Sequence, residues 1–184
     1  MPQFIGLLRG INVGGHNKIK MDALAAIFES EGLSDVRTYI QSGNVVFNAK
    51  ATGAAKLAQG IEDAIEKAAG FRPAVILRKV DEWKGVIERA PFVARKDFDP
   101  KKSAVFFLAA APAPDAEEKL RAFDKLPEEI VPNGQELYVY YPNGMGRSKL
   151  QLPNLEKVVG CAGTARNWNT VLKLREMAEP DSAK

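Results

Sequence analysis

The feature that most constrains the fold is a repeated order of strand-like and helix-like segments. In the first half, apolar runs of strand length alternate with apolar residues at helical spacing, in the order β-α-β-β-α-β. The second half repeats this order, without obvious sequence identity between the two copies. The pattern predicts an α+β architecture built from a duplicated unit.

The first half has clear element boundaries. A strand is expected at 4–8, a helix from Met21 with Gly32 at its C-terminal end, and two strands that meet at Ser42-Gly43-Asn44. The most regular helical stripe runs over 57–68 and is closed by Gly70, and the run AVILRKV predicts a fourth strand. A bridging helix follows, with Asp81 as its expected N-cap and Pro91 as its stop.

The second half starts after a charged segment at 93–102 that is read as a linker. AVFFLAA predicts a strand, and Asp115 with Glu118 has the spacing of a capping box at the start of a helix. A hairpin turns at 132–134, a short helix ends at Gly160, and TARNW forms a last strand. A terminal helix is expected from about Thr170, with Asn169 as its N-cap.

These elements predict a tandem pair of ferredoxin-like (βαββαβ) subdomains with a bridging helix and a C-terminal helix. The predicted bounds are 1–92 for the first subdomain with the bridging helix, 93–102 for the linker, and 103–184 for the second subdomain with the terminal helix.

Composition excludes several classes of protein. A chain of 184 residues with 46% hydrophobic and 27% charged residues is typical of a globular protein. We expect a cytoplasmic protein without a membrane contact, because no apolar stretch approaches the roughly 18 residues of a membrane span and the start MPQFIGLLRG has no signal-peptide features. A single cysteine and a single histidine exclude a Cys/His zinc cage within one chain, which leaves carboxylates as the alternative metal ligands. No metal site and no cofactor are expected.

The joint between the first strand and the first helix, RGINVGGHNKIKM, combines paired glycines with cations. In the predicted topology it shares one edge of the sheet with the hairpin between the second and third strands. The first loop cluster is the set of candidate ligand-binding residues at this edge: Arg9, Asn12, Gly14, Gly15, Lys18, Gln41, Ser42 and Asn44. Lys20 converges there too, and it is a poor N-cap that leaves helix amides open to an anion such as phosphate. A purely structural role for these glycines and lysines is the alternative, because the loop has neither P-loop nor G-x-G-x-x-G spacing.

A second edge is expected where the third and fourth strands of the second half end. The segment 142–175 contains six cations and one acid, Glu156. The second loop cluster is the set of candidate ligand-binding residues expected there: Arg147, Lys149, Arg166, Asn167 and Trp168. Two arginines, a lysine and an indole could hold a phosphate and a flat ring. The alternative is that Trp168 belongs to the core.

Two further residues carry possible chemistry. His16 could act as a general base, but no acidic partner is visible in its motif, so a surface or hydrogen-bonding role is favoured. Cys161, beside Ala162 and Gly163, is interpreted as a small packed residue because no nucleophile signature surrounds it.

Four segments together resemble one bacterial family. LRGINVGGHNKIKM, TYIQSGNVVF, YPNGMGRSKL and ARNWNTVLKL look like the domain-of-unknown-function 1697 family, in the same order and over nearly the whole chain. The resemblance implies two linked ferredoxin-like subdomains. It implies no activity, substrate, cofactor or catalytic residue.

The first and second loop clusters predict a protein that binds a phosphate-bearing partner, either nucleic acid or a nucleotide. One alternative is a small-molecule enzyme, a transferase or hydrolase of a phosphorylated metabolite, with Arg9, Lys18 and His16 near the chemistry. Another is a structural or regulatory module for protein contacts, in which GRSKL and RNWN serve packing and capping. The sequence leaves the catalytic residues and the oligomeric state open.

Overall fold

Among the described residues, the structure is an α+β arrangement of two four-stranded antiparallel sheets and six α-helices. It is a computed structural model that describes residues 1–50 and 53–179. The strands are β1 (Gln3–Leu8), β2 (Ser34–Tyr39), β3 (Asn44–Asn48), β4 (Val75–Lys79), β5 (Ser103–Leu108), β6 (Glu129–Asn133), β7 (Glu136–Tyr140) and β8 (Gly163–Asn167). The helices are α1 (Met21–Ser30), α2 (Ala54–Ala69), α3 (Val80–Glu88), α4 (Ala116–Leu120), α5 (Leu152–Val159) and α6 (Trp168–Ala178).

The first sheet has the strand order β2-β3-β1-β4, and every pair of neighbouring strands is antiparallel. β1 is central, with Ile5 opposite Val46 on one side and Arg78 on the other. Because β3 runs against both β1 and β2, the strands β1 and β2 run in the same direction. The end of β1 and the end of β2 therefore lie at the same edge of the sheet.

The second sheet has the equivalent order, β6-β7-β5-β8, again with antiparallel neighbours. The central strand β5 places Val105 between Tyr138 of β7 and Arg166 of β8. Both halves of the chain therefore have the same order of elements: strand, helix, two strands, helix and strand.

Each sheet packs one face against its own helices, because alternate strand residues point to opposite faces. In the first half this core includes Phe4 and Leu8 of β1, Phe28 of α1 and Ile61 of α2. The core of the second half brings together Phe106, Leu137, Leu120 and Leu155 in the same way. Burial of these apolar side chains is the main stabilising term for both halves.

The helices α1, α2 and α5 end at or next to a glycine, as the sequence predicts. Gly70 and Gly160 stand at the C-caps of α2 and α5 in left-handed conformations, with φ of 78° and 79°. Glycine adopts this conformation without steric cost, so it stops a helix at a defined residue. At the end of α1 the cap residue is Glu31, and Gly32 follows it with φ of 76°.

Contacts between Cα atoms divide the chain into two compact units. Unit 1 comprises Met1–Gly85 and the segment from Lys173, and unit 2 comprises Val86–Leu172. The sequence instead predicted a linker at 93–102 and assigned the whole terminal helix to the second subdomain. Residues 180–184 of that predicted subdomain lie outside the described residues.

Four local predictions differ from the structure. The helix α3 begins at Val80, so Asp81 lies inside its first turn and does not cap it. Asp115 makes no capping hydrogen bond, and its carboxylate instead pairs with Lys119 Nζ at 2.7 Å. β6 extends to Asn133 and so includes both Pro132 and Asn133, which the sequence predicts in the turn.

The fourth difference concerns the start of α6. This helix begins at Trp168, two residues before the predicted start, and the side chain of Asn167 accepts a hydrogen bond from Thr170 N at 2.8 Å. Asn167 is therefore the N-cap. Asn169, which the sequence suggested for this role, lies inside the first turn.

Candidate functional site

The loops of the first cluster converge at one edge of the first sheet. The amide of Leu8 donates to the carbonyl oxygen of Gly43 at 2.9 Å, which joins the end of β1 to the β2–β3 hairpin. Asn12 Nδ2 donates to the carbonyl oxygen of Gln41 at 2.9 Å, which joins the loop after β1 to the same hairpin. The predicted approach of these two loops is therefore confirmed.

Gly14 and Gly15 form the tip of a tight turn. They lie between Val13 and His16, which form a short antiparallel bridge closed by a 2.9 Å hydrogen bond from His16 N to Val13 O. Both glycines have positive φ, 57° and 80°, as the central residues of two-residue hairpin turns often do. The paired glycines thus shape the loop, and His16 is exposed beside them.

Asn12 and Asn44, the two asparagines of the first loop cluster, hold the loops at this edge in position. Asn12 Oδ1 accepts from Ile19 N at 2.9 Å, while its amide nitrogen donates to Ile19 O at 3.0 Å and to Gln41 O. Asn44 is fully buried and donates to Tyr39 O at 2.9 Å and to Ser42 Oγ at 3.1 Å. Both amide groups are engaged within the protein, so they position the loops and we do not assign them to ligand contacts.

An open cleft of about 520 Å³ lies at this edge. It is lined by Asn12, Lys18, Ile19, Lys20 and Gln41. Lys18, Lys20 and Gln41 are exposed, so their side-chain donors can reach a ligand in the cleft. Arg9, half-buried, and Ser42, exposed, lie in the adjoining loop positions without lining the cleft.

The cleft is placed at the start of α1. Lys20 is the N-cap residue of this helix, and it makes no side-chain capping hydrogen bond. The first amides of any α-helix lack intrahelical acceptors and carry a partial positive charge. Asp22 lies in the first turn and adds one negative charge there.

The strand ends of the second predicted site also meet at one edge. Ser103 of β5 pairs with Tyr140 at the end of β7, and Ala104 pairs with Asn167 at the end of β8. The predicted edge is therefore present.

Three residues of the second loop cluster, Arg166, Asn167 and Trp168, are engaged within the protein. Arg166 is buried and donates through Nη1 to Thr164 Oγ1 at 2.7 Å and to Ala165 O at 2.8 Å. Burial lowers the pKa of Arg166 to about 10, because the interior disfavours the charged form. Trp168 is buried too, with its ring edge-on to Phe98 at 6.3 Å between centroids, and Asn167 caps α6.

These three placements correct the sequence interpretation of the second loop cluster, and they support its alternative of packing and capping. A residue on a strand points to one of two faces, and here Arg166 points to a buried one. Arg147 and Lys149 remain exposed in the loop after β7, where Ser148 Oγ accepts a hydrogen bond from Leu150 N at 2.9 Å.

Sequence reasoning missed the residue that matches Arg166 in the first half. Arg78 of β4 lies opposite Ile5 of β1, as Arg166 of β8 lies opposite Val105 of β5. Arg78 is buried and donates through Nη1 to the carbonyl oxygen of the preceding Leu77, as Arg166 does to Ala165. In the sequence, the signal that could have identified Arg78 is an arginine just before the last residue of the fourth strand in each half.

Cys161 is half-buried, and its thiol lies 3.6 Å from the carbonyl oxygen of Ala110. Within residues 1–50 and 53–179, no three His, Cys, Asp or Glu side chains are grouped so that they could hold a metal ion. No helix in the same ranges is both long and apolar enough to cross a membrane.

Comparison with known proteins gives a family and a fold. A solved structure of a conserved bacterial protein from Streptococcus pneumoniae superposes with a TM-score of 0.71 at 22% sequence identity, covering 97% of this chain and 99% of that one. This likeness concerns the fold alone. No curated protein matches the chain.

The family model described as "Protein of unknown function (DUF1697)" matches residues 1–138. The match includes the whole first loop cluster and stops before YPNGMGRSKL and ARNWNTVLKL, the last two segments of the resemblance. The chain therefore belongs to the DUF1697 family.

Proposed function

We propose that the protein binds a phosphate-bearing ligand, a nucleotide or a nucleic acid, in the cleft at the start of α1. In this proposal Lys18, Lys20 and Gln41 contact the ligand. Asn12, Asn44 and the turn at Gly14 hold the surrounding loops in position.

The observation that carries this proposal is the cleft itself. Two exposed lysines line it at the N-terminus of a helix whose N-cap side chain leaves the first amides uncapped. Lysine supplies a positive charge and helix amides supply oriented donors, and together these favour a phosphate group. The proposal does not use Arg166 and Trp168 of the second loop cluster, because both are buried.

We further propose that each half is a ferredoxin-like unit and that the pair arose by duplication. The support is the shared chain order of elements, the shared strand order of the two sheets, and the matched register of Arg78 and Arg166. We also propose that the protein is bacterial, as the organism of the structural neighbour and the family resemblance suggest. Its cytoplasmic location stays a prediction from the sequence.

The proposed site is tested by titrating the protein with nucleoside phosphates and short oligonucleotides at about 50 mM and about 200 mM salt. Lys18→Ala and Lys20→Ala should each weaken binding by roughly 3- to 10-fold and reduce its salt dependence, because each variant loses one phosphate contact. Asp22→Asn should tighten binding by up to about 5-fold, because it removes a negative charge from the same helix end.

Lys125→Ala is the matched control, since it removes one exposed positive charge from unit 2. This variant should leave the affinity unchanged. Absence of binding at low salt, or an equal loss in Lys125→Ala and Lys18→Ala, would show that the cleft is not the site.

A further inference from the structure

Unit 2 has a cleft at the place that corresponds to the cleft of unit 1. The amide of Leu108, the last residue of β5, donates to the carbonyl oxygen of Gln135 at the β6–β7 hairpin at 2.9 Å. Leu8 and Gly43 form the same bond at the same length in unit 1. In each unit, the loop after the first strand therefore meets the hairpin at one edge of the sheet, and both segments line a cleft there.

The cleft of unit 2, hereafter the apolar cleft, has a mostly apolar lining. Its volume is about 330 Å³, near the lower end of the range of about 300–1,000 Å³ that is usual for small-molecule sites. Ala116, Leu120 and Leu137 line it and are 2%, 6% and 0% exposed, so they form its floor. A compact apolar group that covers this floor would remove apolar surface from water.

Prolines fix the shape of the walls of the apolar cleft. Pro112, Pro114 and Pro132 line it, and a proline ring holds the backbone φ near about −65°. The loop that carries Pro112 and Pro114 is attached to the last residue of α5 by a hydrogen bond from Ala113 N to Val159 O at 2.8 Å. A ligand therefore enters without first ordering this loop, which lowers the entropic cost of binding.

The polar part of the lining favours a cationic ligand. Glu117 is exposed and lines the apolar cleft, and none of the described residues that line it is a lysine, an arginine or a histidine. The next residue, Glu118, is an exposed acid that does not line the cleft. An apolar floor with one carboxylate at its side is complementary to an apolar body that carries one positive charge.

We propose that the apolar cleft binds a compact hydrophobic amine. The apolar body of the amine lies on the floor, and its protonated amino group faces the carboxylate of Glu117. This inference goes beyond the proposed function and does not rest on it, because it concerns a different cleft and a ligand of opposite charge.

The test is a titration of the isotope-labelled protein with phenethylamine, followed through the backbone amide chemical shifts. The amides of Gly134 and Gln135 should shift, because both residues line the apolar cleft. Phenethylamine should bind at least about 10-fold more tightly than ethylamine, which lacks the ring. It should also bind about 2- to 5-fold more tightly than phenethyl alcohol, which lacks the charge.

Two variants test the carboxylate against a matched control. Glu117→Gln should weaken the binding of phenethylamine by about 2- to 5-fold and leave the binding of phenethyl alcohol unchanged, because it removes only the charge. Glu118→Gln removes the neighbouring negative charge outside the cleft, and it should leave the affinity for both compounds unchanged.

A third variant fills the apolar cleft. Ala111 is exposed and lines the cleft, so Ala111→Phe should place a ring there and weaken the binding of both compounds by at least about 10-fold. Its melting temperature should stay within about 2 °C of that of the unmodified protein, because the substituted position is on the surface.

Several outcomes would overturn the inference. They are shifts confined to amides outside the apolar cleft, equal losses in Glu117→Gln and Glu118→Gln, phenylacetate that binds as tightly as phenethylamine, and full amine affinity in Ala111→Phe. Absence of phosphate binding would remove the proposed function alone, since the two clefts are lined by residues of different units.

Discussion

At the scale of single residues, Gly43 shows why the candidate site depends on close backbone approach. It has φ of 83°, and a Cβ atom added there would lie 2.6 Å from Ile11 Cδ1 and 2.9 Å from Leu8 Cβ. Its carbonyl oxygen also accepts the hydrogen bond from Leu8 that joins the two loops of the cleft. A side chain at this position would therefore strain the turn and separate the loops.

We predict that Gly43→Ala lowers the free energy of unfolding by about 2–4 kcal/mol, because it combines left-handed strain with overpacking. Gly134→Ala is the matched control: its φ is 60° and an added Cβ would meet no atom within 4 Å. The control should lose only about 1–2 kcal/mol, from strain alone. Urea unfolding of both variants measures the difference, and equal losses would contradict the steric account.

At the scale of elements, α6 shows how the burial of Trp168 sets the start of a helix. Trp168 begins the helix and is buried, and Asn167 precedes it with its side-chain oxygen on Thr170 N. Asn169 was the expected cap because asparagine is a common N-cap residue and the helical pattern is clear only from Thr170. Burial of Trp168 places the helix start two residues earlier than the pattern suggested.

Separate replacement of Asn167 and Asn169 compares the two candidate N-cap residues directly. Asn167→Ala should cost about 1 kcal/mol of stability, because the amide of Thr170 loses its acceptor. Asn169→Ala, inside the first turn, should be neutral or slightly stabilising, since alanine is the better helix former. Chemical unfolding of both variants decides the assignment, and a larger loss in Asn169→Ala would restore the original interpretation.

The matched arginines on β4 and β8 are an element-scale feature of a different kind. Arg78 and Arg166 occupy the same register against the central strand of their sheets and donate to the preceding carbonyl oxygen in the same way. Sequence reasoning treated Arg166 as a ligand-binding cation, because the third and fourth strands of the second half were expected to end at one edge beside Arg147 and Lys149. Its burial is decided by the face of the sheet to which it points.

At the scale of the whole molecule, stability should depend on alkaline pH through buried tyrosines. Burial raises the pKa of Tyr138 and of Tyr141 to about 12, from an ordinary value of 10.0. Tyr138 also donates its hydroxyl hydrogen to Val86 O at 2.7 Å. Above about pH 10 the unfolded chain loses phenolic protons that the folded chain keeps, so unfolding becomes more favourable as pH rises.

We predict that this contribution is complete below about pH 10 and is lost as pH approaches about 12, at roughly 1.4 kcal/mol per pH unit for each tyrosine. Unfolding free energies measured across this range should fall less steeply in the double variant Tyr138→Phe with Tyr141→Phe. The slope is the informative quantity, because removal of the Tyr138 hydroxyl also changes the stability at neutral pH. An unchanged slope would contradict the assignment to these two phenols.

The sequence by itself determined the order of the elements, most of their approximate bounds and the approach of the first loop cluster to the β2–β3 hairpin. Those features follow from local patterns: apolar spacing, glycine at helix ends and turns, and the strand directions that a β-α-β-β-α-β order implies. The tertiary structure decided which polar side chains remain available. Asn12 and Asn44 are hydrogen-bonded within the protein and hold the loops in position, whereas Arg166 and Trp168 are buried. No local pattern specifies these outcomes, because the hydrogen-bond partners and neighbours of a side chain come from distant segments.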